Sequence, residues 1–169
     1  LKEEKYSAKS LKYLSIISER ATTLKMLSEE LFKYSLAANK NLDKNQELEK
    51  TDVNCLLQET LFSFYSKFCE KNIVPKFSTC KGEILRITEK NSLVRIFSNI
   101  IENAIKYSDG DFIIDINEDG TIRFSNTARN LNNVDVAKLF DRFFTVENGK
   151  SSTGLGLSIA KQLTKKLGG

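Results

Sequence analysis

The sequence contains no histidine and no tryptophan, and only one proline and one methionine. Without histidine, imidazole is removed from every catalytic scheme and zinc loses its commonest nitrogen ligand. The cysteines are Cys55, Cys69 and Cys80; they are odd in number and lack the Cys-x-x-Cys spacing of a zinc or redox motif. We therefore expect reduced thiols rather than a disulfide framework.

Long apolar runs are also missing. None approaches the roughly 20 residues of a membrane-spanning helix, and no signal peptide opens the chain. The net charge of +4 is spread along 169 residues, which predicts no nucleic-acid binding. Because the chain begins with Leu1 rather than Met, we expect it to come from a longer protein, whose membrane anchor would lie in the missing part.

Residues 7–40 contain no Gly or Pro, and Ile17, Leu24 and Leu31 recur seven positions apart. This spacing predicts an amphipathic helix of some nine turns with a seam like that of a coiled coil. Such a helix must bury its apolar stripe against a partner helix, although folding back onto its own domain stays open as an alternative. The polar residues 39–45 indicate a hinge.

Beyond the hinge, helical and strand patterns alternate, which predicts an α+β fold with helices on one face of a mixed sheet. Asn54 is predicted to cap the first of these helices, with Cys69 on its apolar side. Two strands are predicted to be joined by a turn at Gly82, and two more to form a hairpin around Gly120. The predicted strands are 48–52, 73–78, 84–88, 112–116 and 122–124, and the predicted helices are 54–71, 91–107, 134–140 and one from Gly154 to about residue 167.

The first candidate for a functional stretch is NIIENAIKY, residues 99–107. Asn99, Asn103 and Lys106 recur at i, i+4 and i+7, so they share one helix face, while the apolar residues turn to the core. A carboxamide oxygen can bind a hard cation, and an ammonium group can neutralise phosphate oxygens. Taken alone, this pattern also fits an ordinary solvent-facing helix surface.

The second candidate is SSTGLGLSIAK, residues 151–161, where small residues and glycines lead into an apolar-periodic helix. Backbone N–H groups at a helix N-terminus favour a polyphosphate. The stretch is not a Walker P-loop, since no Gly-Lys-Ser/Thr follows, nor a dinucleotide fingerprint, since no strand directly precedes it. By itself, such a glycine pair can be only a turn.

Together and in this order, the two stretches resemble the N box and second glycine box of the Bergerat-fold ATPases. That group includes sensor histidine kinases, gyrase-type topoisomerases, heat-shock-90 chaperones and mismatch-repair ATPases. LFDRFF, residues 139–144, resembles the F box of the kinases. The resemblance implies a two-layer α/β sandwich with a mixed sheet, in which residues 42–169 form the catalytic domain. Residues 1–41 are similar to the second helix of a dimerisation and histidine-phosphotransfer domain.

The resemblance also implies site residues for ATP and Mg²⁺. Asn103 would supply an oxygen ligand to Mg²⁺, and Asn99 would lie beside the triphosphate and act in catalysis. Lys106 would contact phosphate, and Tyr107 would line the nucleotide pocket.

A mobile ATP lid would span residues 140–153. Within it, Arg142 would stabilise charge on the γ-phosphate, although a surface ion pair with Asp141 or Glu147 stays open. The other nucleotide-contacting residues implied in this half of the domain are Phe143, Ser152, Thr153, Gly154, Leu155, Gly156 and Leu157.

Two features depart from the family pattern. The first glycine box is usually Asp-x-Gly-x-Gly, whose Asp accepts a hydrogen bond from the adenine amino group. Here residues 126–130 read NTARN, with Asn126 at the Asp position and no glycine. A neutral amide accepts less strongly than a carboxylate, so we expect weaker adenine recognition unless Asn126 is only a turn residue. The family also usually adds a strand pair after the position of Gly168 and Gly169.

These features predict a protein-histidine kinase region that binds ATP, serving transfer of the γ-phosphate to a His on a preceding helix and then to an Asp of a response regulator. With no His in its sequence, the chain itself should not autophosphorylate. The expected partners are a response regulator and a second copy bound through the dimerisation helices; the expected location is the cytoplasmic side of a membrane sensor. A kinase acting on a Ser of an anti-sigma antagonist is disfavoured, since such kinases lack the long leading helix. A non-catalytic scaffold is the other alternative.

Overall fold

The computed structural model describes residues 8–38, 48–79, 82–131, 134–146 and 153–169, so the predicted hinge at 39–45 lies outside the described residues. The fold is α+β, as predicted. Its helices are α1 (Ala8–Ala38), α2 (Val53–Ser63), α3 (Tyr65–Glu70), α4 (Lys90–Tyr107) and α5 (Gly156–Lys166). Its strands are β1 (Glu49–Asp52), β2 (Val74–Ser78), β3 (Leu85–Thr88), β4 (Asp111–Ile116) and β5 (Ile122–Ser125), and 3₁₀ turns cover Arg129–Leu131 and Val136–Phe140.

The strands divide between two sheets. β2 pairs with β4 in parallel and β4 with β5 in antiparallel, which gives a mixed three-stranded sheet in the order β2-β4-β5. β1 and β3 form a separate antiparallel pair. The hairpin predicted around Gly120 is therefore confirmed. β2 and β3 form as predicted, but they do not pair with each other. β3 instead lies against the junction of β1 and α2, where the N–H of Val53 donates to the carbonyl of Ile84 at 2.9 Å.

The first helix after β1 differs from the prediction at both ends. Its cap is Asp52, whose Oδ1 accepts from the backbone N–H of Asn54 at 3.1 Å, so the predicted cap residue already lies inside the helix. The helix ends at Ser63, whose hydroxyl donates to the carbonyl of Thr60 at 2.6 Å. A second helix, α3, follows from Tyr65. Hydroxyl groups that bond back to carbonyls in this way disturb a helix. Cys69, predicted on the apolar side, is exposed.

The core lies between the three-stranded sheet and the helices α2, α4 and α5, and α4 packs against both of the other two. β4 alternates strictly between half-buried and buried residues, and its Phe112, stacked on Phe68 and Phe124, is 1% exposed. Complete burial of such a side chain contributes about 1.5–3 kcal/mol. α4 buries the predicted Ile96, Phe97, Ile101 and Ala104, while Leu93 and Ile100 are half-buried.

α1 confirms the long helix predicted from the heptad spacing, but little of its apolar seam is covered. Leu14, Ile17, Leu24 and Leu31 are 50, 61, 67 and 46% exposed. The helix does touch α5, so the folded-back alternative is realised only in a small contact. Within the described ranges, no helix combines the length and the apolarity needed to cross a bilayer.

α5 begins two residues later than predicted, at Gly156 instead of Gly154. Gly154 has a φ of +69°, which is a left-handed conformation and cannot belong to a right-handed helix. The helix predicted over 134–140 forms the 3₁₀ turn Val136–Phe140, which Asp135 caps by accepting from the N–H of Ala137 at 3.0 Å.

Candidate functional site

A cleft of about 450 Å³ opens between α4, the start of α5, the segment after β5 and residues 144–146. This volume is within the range of small-molecule sites. Its walls mix amides, two ammonium groups, backbone and apolar side chains. It is lined by Lys67, Asn99, Glu102, Asn103, Ile105, Lys106, Tyr107, Asn126, Ala128, Leu131, Leu139, Phe144, Thr145, Val146, Thr153, Gly154, Gly156 and Leu157.

One wall is the polar face of α4, because Asn99, Asn103, Lys106 and Tyr107 all line the cleft. The amide nitrogen of Asn99 donates to the carbonyl of Arg95 at 2.8 Å, which fixes the orientation of the side chain. Lys106 Nζ lies 5.4 Å from the centre of the Tyr107 ring. The buried residues of the same helix anchor this face to the core, so its polar groups sit on a rigid support.

The opposite wall is the beginning of α5, to which Thr153, Gly154, Gly156 and Leu157 contribute. The N-cap residue is Leu155, whose side chain provides no hydrogen bond to the first backbone N–H groups of α5. Such groups, together with the helix dipole, favour an anion. A Cβ at Gly156 would lie 3.2 Å from Asn99 Oδ1, so glycine at this position lets α5 approach the amide row of α4 closely.

Gly154 lies just before α5 and closely approaches the backbone of Phe143 and Phe144. A Cβ there would come within 2.6 Å of the Phe143 carbonyl carbon and of the Phe144 oxygen, in addition to the strain of a φ of +69°. The N–H of Phe143 donates to the carbonyl of Gly154 at 3.0 Å. Only glycine tolerates both the positive φ and the nearby backbone atoms. Phe144 and Thr145, which follow the hydrogen-bonded Phe143, line the edge of the cleft.

Some of the predicted site residues lie elsewhere. Leu155 is fully buried in the core and does not line the cleft. Phe143 is 55% exposed, and neither it nor the exposed Arg142 lines the cleft. Ser152 lies outside the described residues. The roles assigned to these residues stay predictions.

A third wall follows β5. Asn126 and Ala128 line the cleft there, and the Asn126 amide nitrogen lies 3.4 Å from the carbonyl of Thr127. The position predicted to read the base is therefore on the same cleft as the amide row of α4. This wall is held from behind by Asp111, whose carboxylate accepts from the backbone N–H and the hydroxyl of Thr127 at 2.8 Å each. Those bonds hold the pKa of Asp111 below its ordinary value.

Two charged residues of the cleft were missed in the sequence. Glu102 follows Asn99 by three positions on α4, so helical spacing could have identified it. Lys67 comes from α3 through tertiary contact, for which the sequence carries no signal. Their side chains form an ion pair at 3.4 Å and are more than half exposed, which makes the pair worth little to stability.

The donor set suits a polyphosphate with a hard cation. Lys67 and Lys106 are positive, and the amides of Asn99 and Asn103 provide neutral oxygen ligands. Among the described residues, no group of three or more His, Cys, Asp or Glu could hold a metal by itself. A cation in the cleft would therefore depend on amide, phosphate and water oxygens together, which is how Mg²⁺ is usually bound beside phosphates.

Comparison with known proteins identifies the family of the chain. Residues 88–169 match the family described as histidine kinase-, DNA gyrase B-, and HSP90-like ATPase. The chain is 28% identical to sensor protein VanSC of Enterococcus gallinarum over all of its own length and 49% of that protein. It is 31% identical to sensor protein VanS of Enterococcus faecium over 94% of the chain and 42% of that protein. The chain thus spans about half the length of these curated relatives.

Among solved structures, the histidine kinase AdeS of Acinetobacter baumannii shares the fold. Its TM-score is 0.65 at 19% identity, with 95% of this chain and 75% of that chain covered. The matched ATPase family begins at the end of β3 and includes both α4 and α5, the two helices that face each other across the cleft. The chain therefore belongs to the bacterial sensor histidine kinases, of which it carries the ATP-binding catalytic region.

Proposed function

We propose that the cleft binds Mg²⁺-ATP as the phosphate donor of a protein-histidine kinase. The observation that carries the proposal is the meeting of the amide and ammonium face of α4 with Gly154 and Gly156 at the start of α5 in one cleft. The triphosphate would lie between the open N–H groups of α5 and Lys106, and the base would lie toward Asn126. Asn103 would be the amide ligand of Mg²⁺, which supplies charge neutralisation to the phosphates when bound.

In the whole protein, the γ-phosphoryl group would pass from ATP to an imidazole nitrogen, with ADP as the leaving group. The acceptor His must lie outside these 169 residues, because they contain none. The residues of this chain would position the triphosphate and neutralise its charge, which is most of what a protein contributes to phosphoryl transfer. Asn99 would orient the reacting end beside Gly156, and Arg142 would stabilise the charge of the γ-phosphate.

The partners follow from the same assignment. The exposed seam of α1 suits a second copy of the helix, and an Asp of a response regulator would receive the phosphoryl group. The histidine kinase relatives support both proposals in general terms. We place the chain on the cytoplasmic side of a membrane sensor, where ATP is available, and we expect no nucleic-acid partner.

Calorimetric titration with ATP, with and without Mg²⁺, tests the proposal. A live kinase region should bind ATP, and Mg²⁺ should tighten the binding. A longer form of the protein that carries the upstream helix should become labelled from γ-labelled ATP with an acid-labile bond. No binding in either condition would favour the scaffold alternative, in which the domain serves only assembly.

A further inference from the structure

The third wall of the cleft is supported by the carboxylate of Asp111, which no sequence motif predicted. Asp111 opens β4, and Thr127 stands opposite it in the continued register of β4 and β5, since Ile113 pairs with Ser125. The Thr127 N–H donates to both carboxylate oxygens, at 2.8 and 3.0 Å, and the Thr127 hydroxyl donates to Oδ2 at 2.8 Å. The side chain of Asp111 thus extends the hairpin past the point where its backbone ladder ends.

A second carboxylate supports the same segment. The N–H of Asp109 donates to the carbonyl of Thr127 at 2.9 Å, and Asp109 Oδ2 accepts from the N–H of Arg129 at 2.8 Å. The backbone is therefore held at residues 127 and 129, while Asn126 and Ala128 line the cleft. Because Thr127 is held by Asp111 and does not line the cleft, whereas both of its neighbours do, the anchor behind the wall sets the position of the residues in front of it.

Asn126 lies on this wall next to the anchored Thr127. Its side chain is exposed, and its hydrogen bond to the carbonyl of Thr127 is long, at 3.4 Å. The segment NTARN contains no glycine and follows directly on β5. A wall already ordered in the free protein spares a ligand the cost of ordering it.

We propose that Asp111 is the positioning residue for the nucleotide base: it holds residues 126–128 at the cleft and so sets affinity and base preference through Asn126. The inference rests on the proposed function, because it takes the cleft as the ATP site. Asp111 does not touch the nucleotide and acts only through the wall.

Asp119 offers a matched control on the same hairpin. Its carboxylate accepts from the backbone N–H of Thr121 at 2.8 Å, and like that of Asp111 its pKa is lowered by hydrogen bonds from a threonine. It lies in the turn between β4 and β5 and does not line the cleft. Asp111→Ala and Asp119→Ala therefore remove the same kind of interaction from opposite ends of one hairpin.

The first measurement is amide hydrogen exchange by NMR on the chain without nucleotide. In Asp111→Ala the Thr127 amide should exchange about ten-fold faster or more than in the parent, with Asp119→Ala unchanged at that position. Equal exchange of the Thr127 amide in the parent and in Asp111→Ala would overturn the proposal, because the carboxylate would then not hold the wall.

The second measurement is a double-mutant cycle in Mg²⁺-ATP affinity, with the ratio of ATP to GTP affinity recorded for each variant. Asp111→Ala should weaken ATP binding about ten-fold and move the ratio toward that of Asn126→Ala. In the Asn126→Ala background the same change should cost less than about two-fold. Asp119→Ala should leave affinity and ratio unchanged.

The inference would be overturned, with the ATP site left in place, if the affinity losses of Asp111→Ala and Asn126→Ala multiply in the double variant. Equal effects of Asp111→Ala and Asp119→Ala on affinity would overturn it as well. If Asp111→Ala does not fold, Thr127→Val and Asp111→Asn take its place, since each keeps the shape and removes part of the network. A parent chain that binds no ATP, with the exchange result as expected, would instead refute the proposed function and the base-positioning role with it.

Discussion

Asn103 combines a half-buried position on the cleft wall with a rigid support. It lines the cleft from the polar face of α4, whereas its helical neighbour Ala104 is 2% exposed in the core. Its amide oxygen can therefore serve a ligand without being needed for packing. A role in binding and a role in stability are separable at this residue.

We expect Asn103→Ala to weaken Mg²⁺-dependent ATP affinity about ten-fold or more, since an oxygen ligand and its hydrogen bonds are lost. The free energy of unfolding without nucleotide should change by less than about 0.5 kcal/mol. Asn91→Ala is the matched control, because Asn91 is exposed on the same helix but outside the cleft. Calorimetry of both variants measures ATP affinity, and thermal melting measures stability. An unchanged affinity in Asn103→Ala would contradict the proposed role of Asn103 as a Mg²⁺ ligand.

Asn126 is the residue where the chain departs most clearly from its family. Asn126→Asp should tighten ATP binding by about 1 kcal/mol, since a charged acceptor is stronger than a neutral one. Asn126→Ala should weaken ATP and leave little base preference. Because an amide can also donate, the parent should reject GTP less firmly than the Asp variant. Competition between ATP and GTP in all three forms measures this, and identical behaviour would show Asn126 to be a simple turn residue.

At the scale of elements, the fold depends on side chains that link the ends of neighbouring helices and strands. Asp52 caps α2 and also accepts from the N–H of Ile84 at 3.1 Å, so one carboxylate joins β1, α2 and the approach to β3. Local pattern predicted a cap in this region, but helix periodicity does not distinguish Asp52 from Asn54. The pairing of β3 was equally out of reach, because it depends on a contact across some thirty residues of chain.

We expect Asp52→Ala to destabilise the chain by about 1–3 kcal/mol, because two backbone N–H groups lose their acceptor. Asp135→Ala is the comparison. The Asp135 carboxylate accepts the N–H of Ala137 and caps an exposed 3₁₀ turn. Its cost should be about 1 kcal/mol or less. Urea unfolding measures both, and equal costs would show that the bond to Ile84 contributes nothing.

Gly154 sets how closely the start of α5 approaches the backbone of Phe143 and Phe144. Gly154→Ala should destabilise by about 2–4 kcal/mol, from the strain of a positive φ together with overlap with the backbone of Phe143 and Phe144. Gly110→Ala separates the two causes, because Gly110 has a φ of +110° and nothing within 4 Å of an added Cβ. Denaturant titration should give the smaller loss for Gly110→Ala, and ATP affinity should fall only in Gly154→Ala.

At the scale of the whole molecule, the chain separates nucleotide binding from phosphate acceptance. The described lining of the cleft comes from α3, α4, the segment after β5, residues 139–146 and residues 153–157, whereas no His is present anywhere to accept a phosphoryl group. The exposed seam of α1 offers a surface on which a second copy would complete the helix packing.

The chain should accordingly bind ATP or ADP yet take up no acid-labile label from γ-labelled ATP. The physical reason is the lack of any imidazole nucleophile in the 169 residues. Incubation followed by acid and base treatment of the labelled protein measures this, with a longer form that contains the upstream helix as the positive control. Acid-labile label on the isolated chain would contradict the assignment of a missing acceptor.

The sequence by itself determined the approximate positions of most helices and strands, the α+β class and the family, because these depend on local periodicity and on residue types at short spacing. The face shared by Asn99, Asn103 and Lys106 follows from helix geometry alone. The glycines of residues 154–156 predicted a helix start that favours a polyphosphate, but not the atoms that Gly154 and Gly156 approach.

Only the tertiary structure decided which strands pair, where Lys67 enters the cleft, why Leu155 belongs to the core, and that Asp111 supports the wall carrying Asn126. Each of these is a contact between segments far apart in the chain. Such contacts are chosen by the packing of the whole domain, because many alternative pairings satisfy the same local pattern and only one buries the common core.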